Sequence, residues 1–323
     1  MILATVAILV GLPVLLWSAG KFVDGASGVA RHFGVSPLII GMIIIGFGTS
    51  APEIIVSVFA SVQGNSGIAL GNAFGSNIAN IGLVLGLTAL LSPIAVRSEI
   101  IRRELPIMLA ITFIATWQLL DLNLSKDDAF TLLGLFMLLV GWSIWQGIKG
   151  KTDSLASEYE SELESGATPV KANVVWLLAG LVLLIASSRI LVWGAVEIAS
   201  HFGVSDAIIG LTIIAVGTSL PELASSLMAV RKQEHDLALG NVIGSNMFNI
   251  LAVVGLAGVI HPTQIDSSFF YRDIMVMVAF SVALFIFCIG IKRQGRLNRL
   301  EGGAFCLAYI GYTWYLINSA FIG

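Results

Sequence analysis

HFGVSPLIIGMIIIGFGTSAPE at positions 32–53 returns as HFGVSDAIIGLTIIAVGTSLPE at 201–222. The register holds without a gap. An offset of 169 residues runs from His32 to Pro93, and ALGNAFGSNIANI at 69–81 meets ALGNVIGSNMFNI at 238–250. Nearly half of the 62 aligned pairs are identical, and the identities concentrate at glycine and polar positions. Shared hydrophobicity alone would not produce that pattern, so the chain is a duplication. Each copy keeps one acid, Glu53 or Glu222, inside an otherwise apolar run.

The surroundings of the repeats set the class of molecule. Of 323 residues, 57% are hydrophobic and 11% charged, against about 25% charged in soluble proteins. So few polar side chains cannot cover a soluble globule of this length, which excludes a soluble enzyme, a nucleic-acid binder and a disordered chain. A spanning helix needs about 20 apolar residues, and ten candidate spans fall between the polar breaks. They cover roughly 2–20, 37–62, 68–91, 104–120, 129–148, 174–193, 207–230, 237–260, 273–291 and 302–321. The chain reads as an all-α polytopic membrane protein of about ten transmembrane helices. The first run, Met1 to Ser18, lacks a basic leader and reads as a mature span. Cys288 and Cys306 lie in apolar runs and suggest neither a disulfide framework nor a thiolate metal site.

The one long polar stretch divides the chain into a five-span half at 1–148, a linker at 149–172 and a second five-span half at 173–323. An odd number of spans per half turns the second copy over in the membrane. Two inverted five-helix repeats are expected, an arrangement found in secondary transporters with ion sites near the midplane. Loops after spans 1, 3, 5, 7 and 9 hold fourteen Lys and Arg residues, among them Lys21, Arg97, Lys149, Arg231 and Arg293. The opposite loops hold only Lys126 and Arg272. That asymmetry places the linker in the cytoplasm and both termini outside. Arg189 is expected near the end of span 6, snorkelling to the interface. Glu158, Glu160, Glu162 and Glu164 read as a solvated acidic linker rather than a calcium sensor.

Glu53 and Glu222 carry the chemistry. A charge within an apolar span is expensive without a partner, and no Lys or Arg is an obvious counter-charge at that depth. In GTSAPE and GTSLPE, Pro52 and Pro221 release the carbonyls of Gly48 and Gly217. Thr49 with Glu53, and Thr218 with Glu222, lie one helical turn apart. On the following spans, Asn72, Ser76 and Asn80 recur every four residues, as do Asn241, Ser245 and Asn249. Asn77 and Asn246 point about 100° away from Ser76 and Ser245 and read as packing or capping groups. His32 and His201 read as interfacial caps. Carboxylates, amides, hydroxyls and freed carbonyls are hard oxygen ligands, which suit calcium or sodium.

At these motifs the sequence resembles the calcium/cation antiporter superfamily, and within it the bacterial sodium/calcium exchangers. The resemblance covers nearly the whole chain, and it rests on the paired GTSAPE…GSNIAN and GTSLPE…GSNMFN motifs. It implies a cluster of cation sites between spans 2, 3, 7 and 8. By position the ligands would be Thr49, Ser50, Glu53, Ser76 and Asn80, with Thr218, Ser219, Glu222, Ser245 and Asn249. The threonines would act through backbone carbonyls, and spans 1 and 6 would slide across a rigid core. Some relatives have an acid where this chain has Asn249, and the neutral amide points to potassium independence.

The expected function is secondary antiport in a bacterial inner membrane, with sodium entry driving calcium out. No resident cofactor is expected, because calcium and sodium are cargo. The expected partners are those two ions and the lipid bilayer, with no nucleic acid and no obligate protein partner. A proton/calcium antiporter using the same acids is the alternative, and a cation channel stands behind it. An intramembrane enzyme has no catalytic motif to support it.

Overall fold

The first helix, α1 (Ile2–Phe33), closes only at Gly34, whose φ of 62° lets its N–H turn back to the carbonyls of Ala30 and Arg31. It is longer than the expected span 2–20 because Lys21, Asp24 and Arg31 continue the helix beyond the apolar run. The computed structural model describes residues 1–149, 169–203, 215–289 and 295–322. Most of the acidic linker and residues 204–214, which include the start of the expected seventh span at 207–230, lie outside that set.

The helices that follow are α2 (Pro37–Thr49), α3 (Ala51–Val62), α4 (Ser66–Leu91), α5 (Ile100–Asp121) and α6 (Lys126–Lys149). The second half supplies α7 (Val170–His201), α8 (Ala215–Thr218), α9 (Leu220–Arg231), α10 (His235–Ile260), α11 (Ser267–Ile289) and α12 (Arg299–Ile322). Among the described residues, seven helices are long and apolar enough to cross a membrane, and α2 with α3, bent by 45°, makes eight. The seven are α1, α4, α5, α6, α7, α10 and α11. Like α1, α7 outruns its expected span of 174–193, so Arg189 sits well inside the helix instead of near its end. Trp17, Trp117, Trp145, Trp193 and Trp314 are all exposed, as side chains facing lipid would be.

Contacts come in pairs related by the 169-residue offset. Helices α1 and α7 pack antiparallel along their length: Gly11 meets Leu191 while Gly180 meets Phe22. A Cβ on Gly180 would stand 2.7 Å from the Phe22 backbone nitrogen, so only glycine allows this approach. At the centre α4 crosses α10, and both are deeply buried. Each turns π-helical at the same repeat position, Asn80–Leu85 in one and Asn249–Val254 in the other. Such local widening of a helix is frequent at functional sites.

Two small ladders join the halves, neither of them legible in the sequence. Strand β1 (Ile94–Ala95) pairs antiparallel with β4 (Arg296–Leu297), and β2 (Asn123–Leu124) with β3 (Thr263–Gln264). At one end of α1, Lys232 Nζ donates to the Gly20 carbonyl (2.7 Å) and to Asp24 Oδ1 (2.5 Å), and Ser27 Oγ donates to Glu234 Oε1 (2.5 Å). These bonds tie α1 to the turn between α9 and α10.

Candidate cation site

Both GTSxPE motifs break a helix in the same way. The α2–α3 break falls at Ser50 (φ −85°, ψ 1°), and the α8–α9 break at Ser219 (φ −89°, ψ 5°). Pro52 and Pro221 follow at the second residue of α3 and α9, where a missing N–H costs nothing. Glu53 and Glu222 thereby fall in the first turn of a helix, whose free N–H groups and dipole favour negative charge. They are 2% and 1% exposed. The sequence reading expected Gly217 to offer a freed carbonyl, and that carbonyl is taken up by Ser188 Oγ of α7 at 3.2 Å.

Asparagines of the crossing helices fasten these breaks. Asn72 Nδ2 donates to the Glu53 carbonyl (3.2 Å) and to Ser57 Oγ (3.0 Å). Asn241 Nδ2 donates to the Glu222 carbonyl (3.2 Å), Ser225 Oγ (3.0 Å) and Ser226 Oγ (2.8 Å). Asn241 Oδ1 also accepts from Thr49 Oγ1 (3.1 Å), and the same hydroxyl donates to the Ile45 carbonyl (3.0 Å). The Thr49 hydroxyl is thus engaged within the protein. Two further bonds run from one half to the other: Ser50 Oγ donates to Glu222 Oε1 (3.4 Å), and Ser245 Oγ to the Gly46 carbonyl (3.3 Å). Helix α9 packs against the Asn80–Leu85 segment and α3 against the Asn249–Val254 segment, so each acid's helix lies against the other half's π-helical turn.

Asn77 and Asn246, read from the sequence as packing or capping groups, turn out to bind the polar face itself. Asn80 Nδ2 donates to Asn246 Oδ1, and Asn249 Nδ2 to Asn77 Oδ1, each at 3.1 Å. Helical spacing on one helix could not reveal this, because the partner belongs to the other repeat. Ser188 escapes the spacing argument for another reason: it reaches Gly217 of its own half from a separate helix, α7.

The oxygens left over define the chemistry. Among the described residues, Glu53 Oε2, Glu222 Oε2, Asn80 Oδ1, Asn249 Oδ1 and Ser219 Oγ are buried with no hydrogen-bond partner. A buried orphan acceptor costs about 1–3 kcal/mol, so five of them need a common remedy. A cation supplies one. Among the described residues neither Glu53 nor Glu222 forms a salt bridge. Ser76 is buried at 6% exposure, and Thr218 is half-buried at the end of α8. Among the described residues no group of three or more His, Cys, Asp or Glu is placed to hold a metal ion. The donor set is therefore two carboxylates completed by amide and hydroxyl oxygens, which favours calcium or sodium over zinc or copper.

The chain is similar to known membrane exchangers. A family model described as sodium/calcium exchanger protein matches residues 3–145 and 172–318. A protein named as a CaxA antiporter from Alkalimonas amylolytica is 50% identical over 320 residues, covering 99% of this chain and 100% of its own length. The sodium/calcium exchanger MaX1 of Methanosarcina acetivorans is 30% identical, covering 94% of this chain and 96% of its own. A solved structure of the sodium-calcium exchanger NCX_Mj superposes with a TM-score of 0.83 at 34% identity, covering 98% of this chain and 99% of that one.

Proposed function

The chain belongs to the sodium/calcium exchanger family of membrane transporters, and on that footing we propose that it exchanges sodium for calcium at the Glu53/Glu222 site. The observation that carries this reading is the cluster of buried, unpartnered oxygens around two carboxylates. Calcium and sodium ions both neutralise the pair, and their shared ligands keep them from occupying it fully together. A neutralised site passes through the low-dielectric interior at modest cost, whereas an empty doubly charged one resists the passage. Sodium moving down its gradient then drives calcium the other way.

The ligands proposed are Glu53, Glu222, Ser50, Ser219, Ser76, Ser245, Asn80 and Asn249, with the backbone carbonyls of Thr49 and Thr218. The architecture proposed is ten spans in two inverted repeats, with both termini outside an inner membrane and the linker in the cytoplasm. The paired contacts of α1 with α7 and of α4 with α10 support it. So does the placement of α7, which touches both breaks through Leu181 against Gly48 and Ser188 on Gly217. A helix so placed can open one side of the site and close the other as it slides.

Protons are the second reading for the driving ion, since each acid can carry one. The test is calcium uptake into proteoliposomes under separate sodium and pH gradients. Uptake that requires internal sodium and survives collapse of the pH gradient supports sodium coupling. Uptake driven by the pH gradient alone replaces it with proton coupling.

A further inference from the structure

We propose that Asn77 is a positioning residue that fixes which atom of the Asn249 amide faces the cation. The inference rests on the site reading above and adds a component that touches no ion.

An asparagine amide presents an oxygen on one side and an NH2 on the other, and turning it over exchanges a cation ligand for a cation-repelling donor. Something must therefore hold Asn249 the right way round. The chain of bonds begins at a group that cannot turn, the backbone carbonyl of Asn246. It accepts from Asn77 Nδ2 at 3.1 Å. With its nitrogen committed there, Asn77 presents Oδ1 to Asn249, which answers with Nδ2 at 3.1 Å. Only one atom of Asn249 remains for the site, and it is the unpartnered Oδ1. Asn77 is 1% exposed, so no water competes for either of its atoms.

The repeat-related pair lacks the anchor. Asn80 Nδ2 donates to Asn246 Oδ1 at 3.1 Å, but Asn246 Nδ2 has no partner among the described residues. Asn246 and Asn80 can turn over together while keeping a hydrogen bond between them. The arrangement is thus asymmetric, and the Asn249 amide is the one that is locked. The lock crosses from one repeat to the other and back: Asn77 of the first half holds Asn249 of the second from an anchor at Asn246, also of the second.

Without Asn77, the freed NH2 of Asn249 can turn toward the glutamate carboxylates, a charge-assisted bond that competes with the cation. We expect Asn77→Ala to raise the calcium KM about tenfold with maximal rate little changed, on the strength of such a bond. Asn246→Ala should have a smaller effect. The decisive background is Asn249→Asp, in which both terminal atoms are oxygens and orientation no longer matters. There, adding Asn77→Ala should change KM by less than about twofold on the same principle.

The experiment measures calcium KM by uptake, and calcium-dependent thermal stabilisation of the purified protein, for wild type, N77A, N249D and the double variant. An unchanged KM in N77A overturns the proposal. So does an equal loss in both backgrounds, which marks Asn77 as merely structural, and so does loss of calcium binding in N249D, where an oxygen still faces the site. If N77A does not fold, N77D serves: it keeps an oxygen for Asn249 Nδ2, and a KM raised about tenfold would refute the lock. A wild type that calcium does not stabilise rejects the site reading instead.

Discussion

Asn241 and Asn72 occupy the same place in the two repeats, yet the structure loads them unequally. Replacing each by alanine therefore tests the hydrogen-bond geometry of the site. The two amide hydrogens of Asn241 serve the Glu222 carbonyl and two serine hydroxyls, and its oxygen accepts from Thr49 of the other half. It is 1% exposed. At about 1 kcal/mol net per hydrogen bond, three bonds lost without water to replace them cost about 3 kcal/mol. Asn72 makes two bonds and is only half-buried, so water recovers part of the loss and about 1 kcal/mol remains. Larger domains shift their midpoint by about 2–4 °C per kcal/mol. Thermal melting in detergent should then show Asn241→Ala lowered by about 6–12 °C and Asn72→Ala by about 2–4 °C. Equal shifts, or a larger one for Asn72→Ala, would refute the assignment of Asn241 as the clamp between halves.

Other consequences can be read with simpler measurements. A Cβ on Gly240 would stand 2.6 Å from the Leu38 carbonyl oxygen and 3.0 Å from the Met42 nitrogen; these are backbone atoms that cannot yield. Gly240→Ala should push α10 off α2 and cost about 1–3 kcal/mol or more, seen as a lower yield of monodisperse protein on size exclusion. Lys232→Met removes two of the three bonds that tie α1 to the α9–α10 turn and touches none of the proposed ligands. It should change turnover severalfold, an effect of about 1 kcal/mol, while calcium KM stays constant. Protons compete with calcium for the Glu53 and Glu222 oxygens, because a ligating carboxylate must be deprotonated. Apparent calcium affinity should fall as pH is lowered, with the maximal rate recovered at saturating calcium. A fall in affinity on raising pH instead would contradict carboxylate ligation.

The duplication made much of this legible in advance. A gapless offset singled out Glu53 and Glu222 because a costly intramembrane acid had been kept twice, and the prolines pointed to opened backbone at Gly48 and Gly217, close to the breaks at Ser50 and Ser219. What stayed hidden depends on contacts between halves. The role of Asn77 is invisible on a helical wheel, since its partners lie on α10. The reach of α1 to Phe33 and α7 to His201 was missed because hydropathy marks where a bilayer ends, whereas a helix ends only where its backbone is capped. The two-residue ladders carry no periodic signal at all. The first part of the expected seventh span and most of the linker fall outside the described residues.

On the proposed function, two buried carboxylates hold the transported cations. Its most direct test is sodium-driven uptake of radioactive calcium into proteoliposomes containing Glu53→Gln or Glu222→Gln, with folded protein verified by size exclusion. Glutamine keeps the shape and one oxygen but removes the charge that calcium neutralises. Both variants are predicted to lose calcium exchange while remaining folded in the membrane. Near-normal uptake by either one would contradict the account.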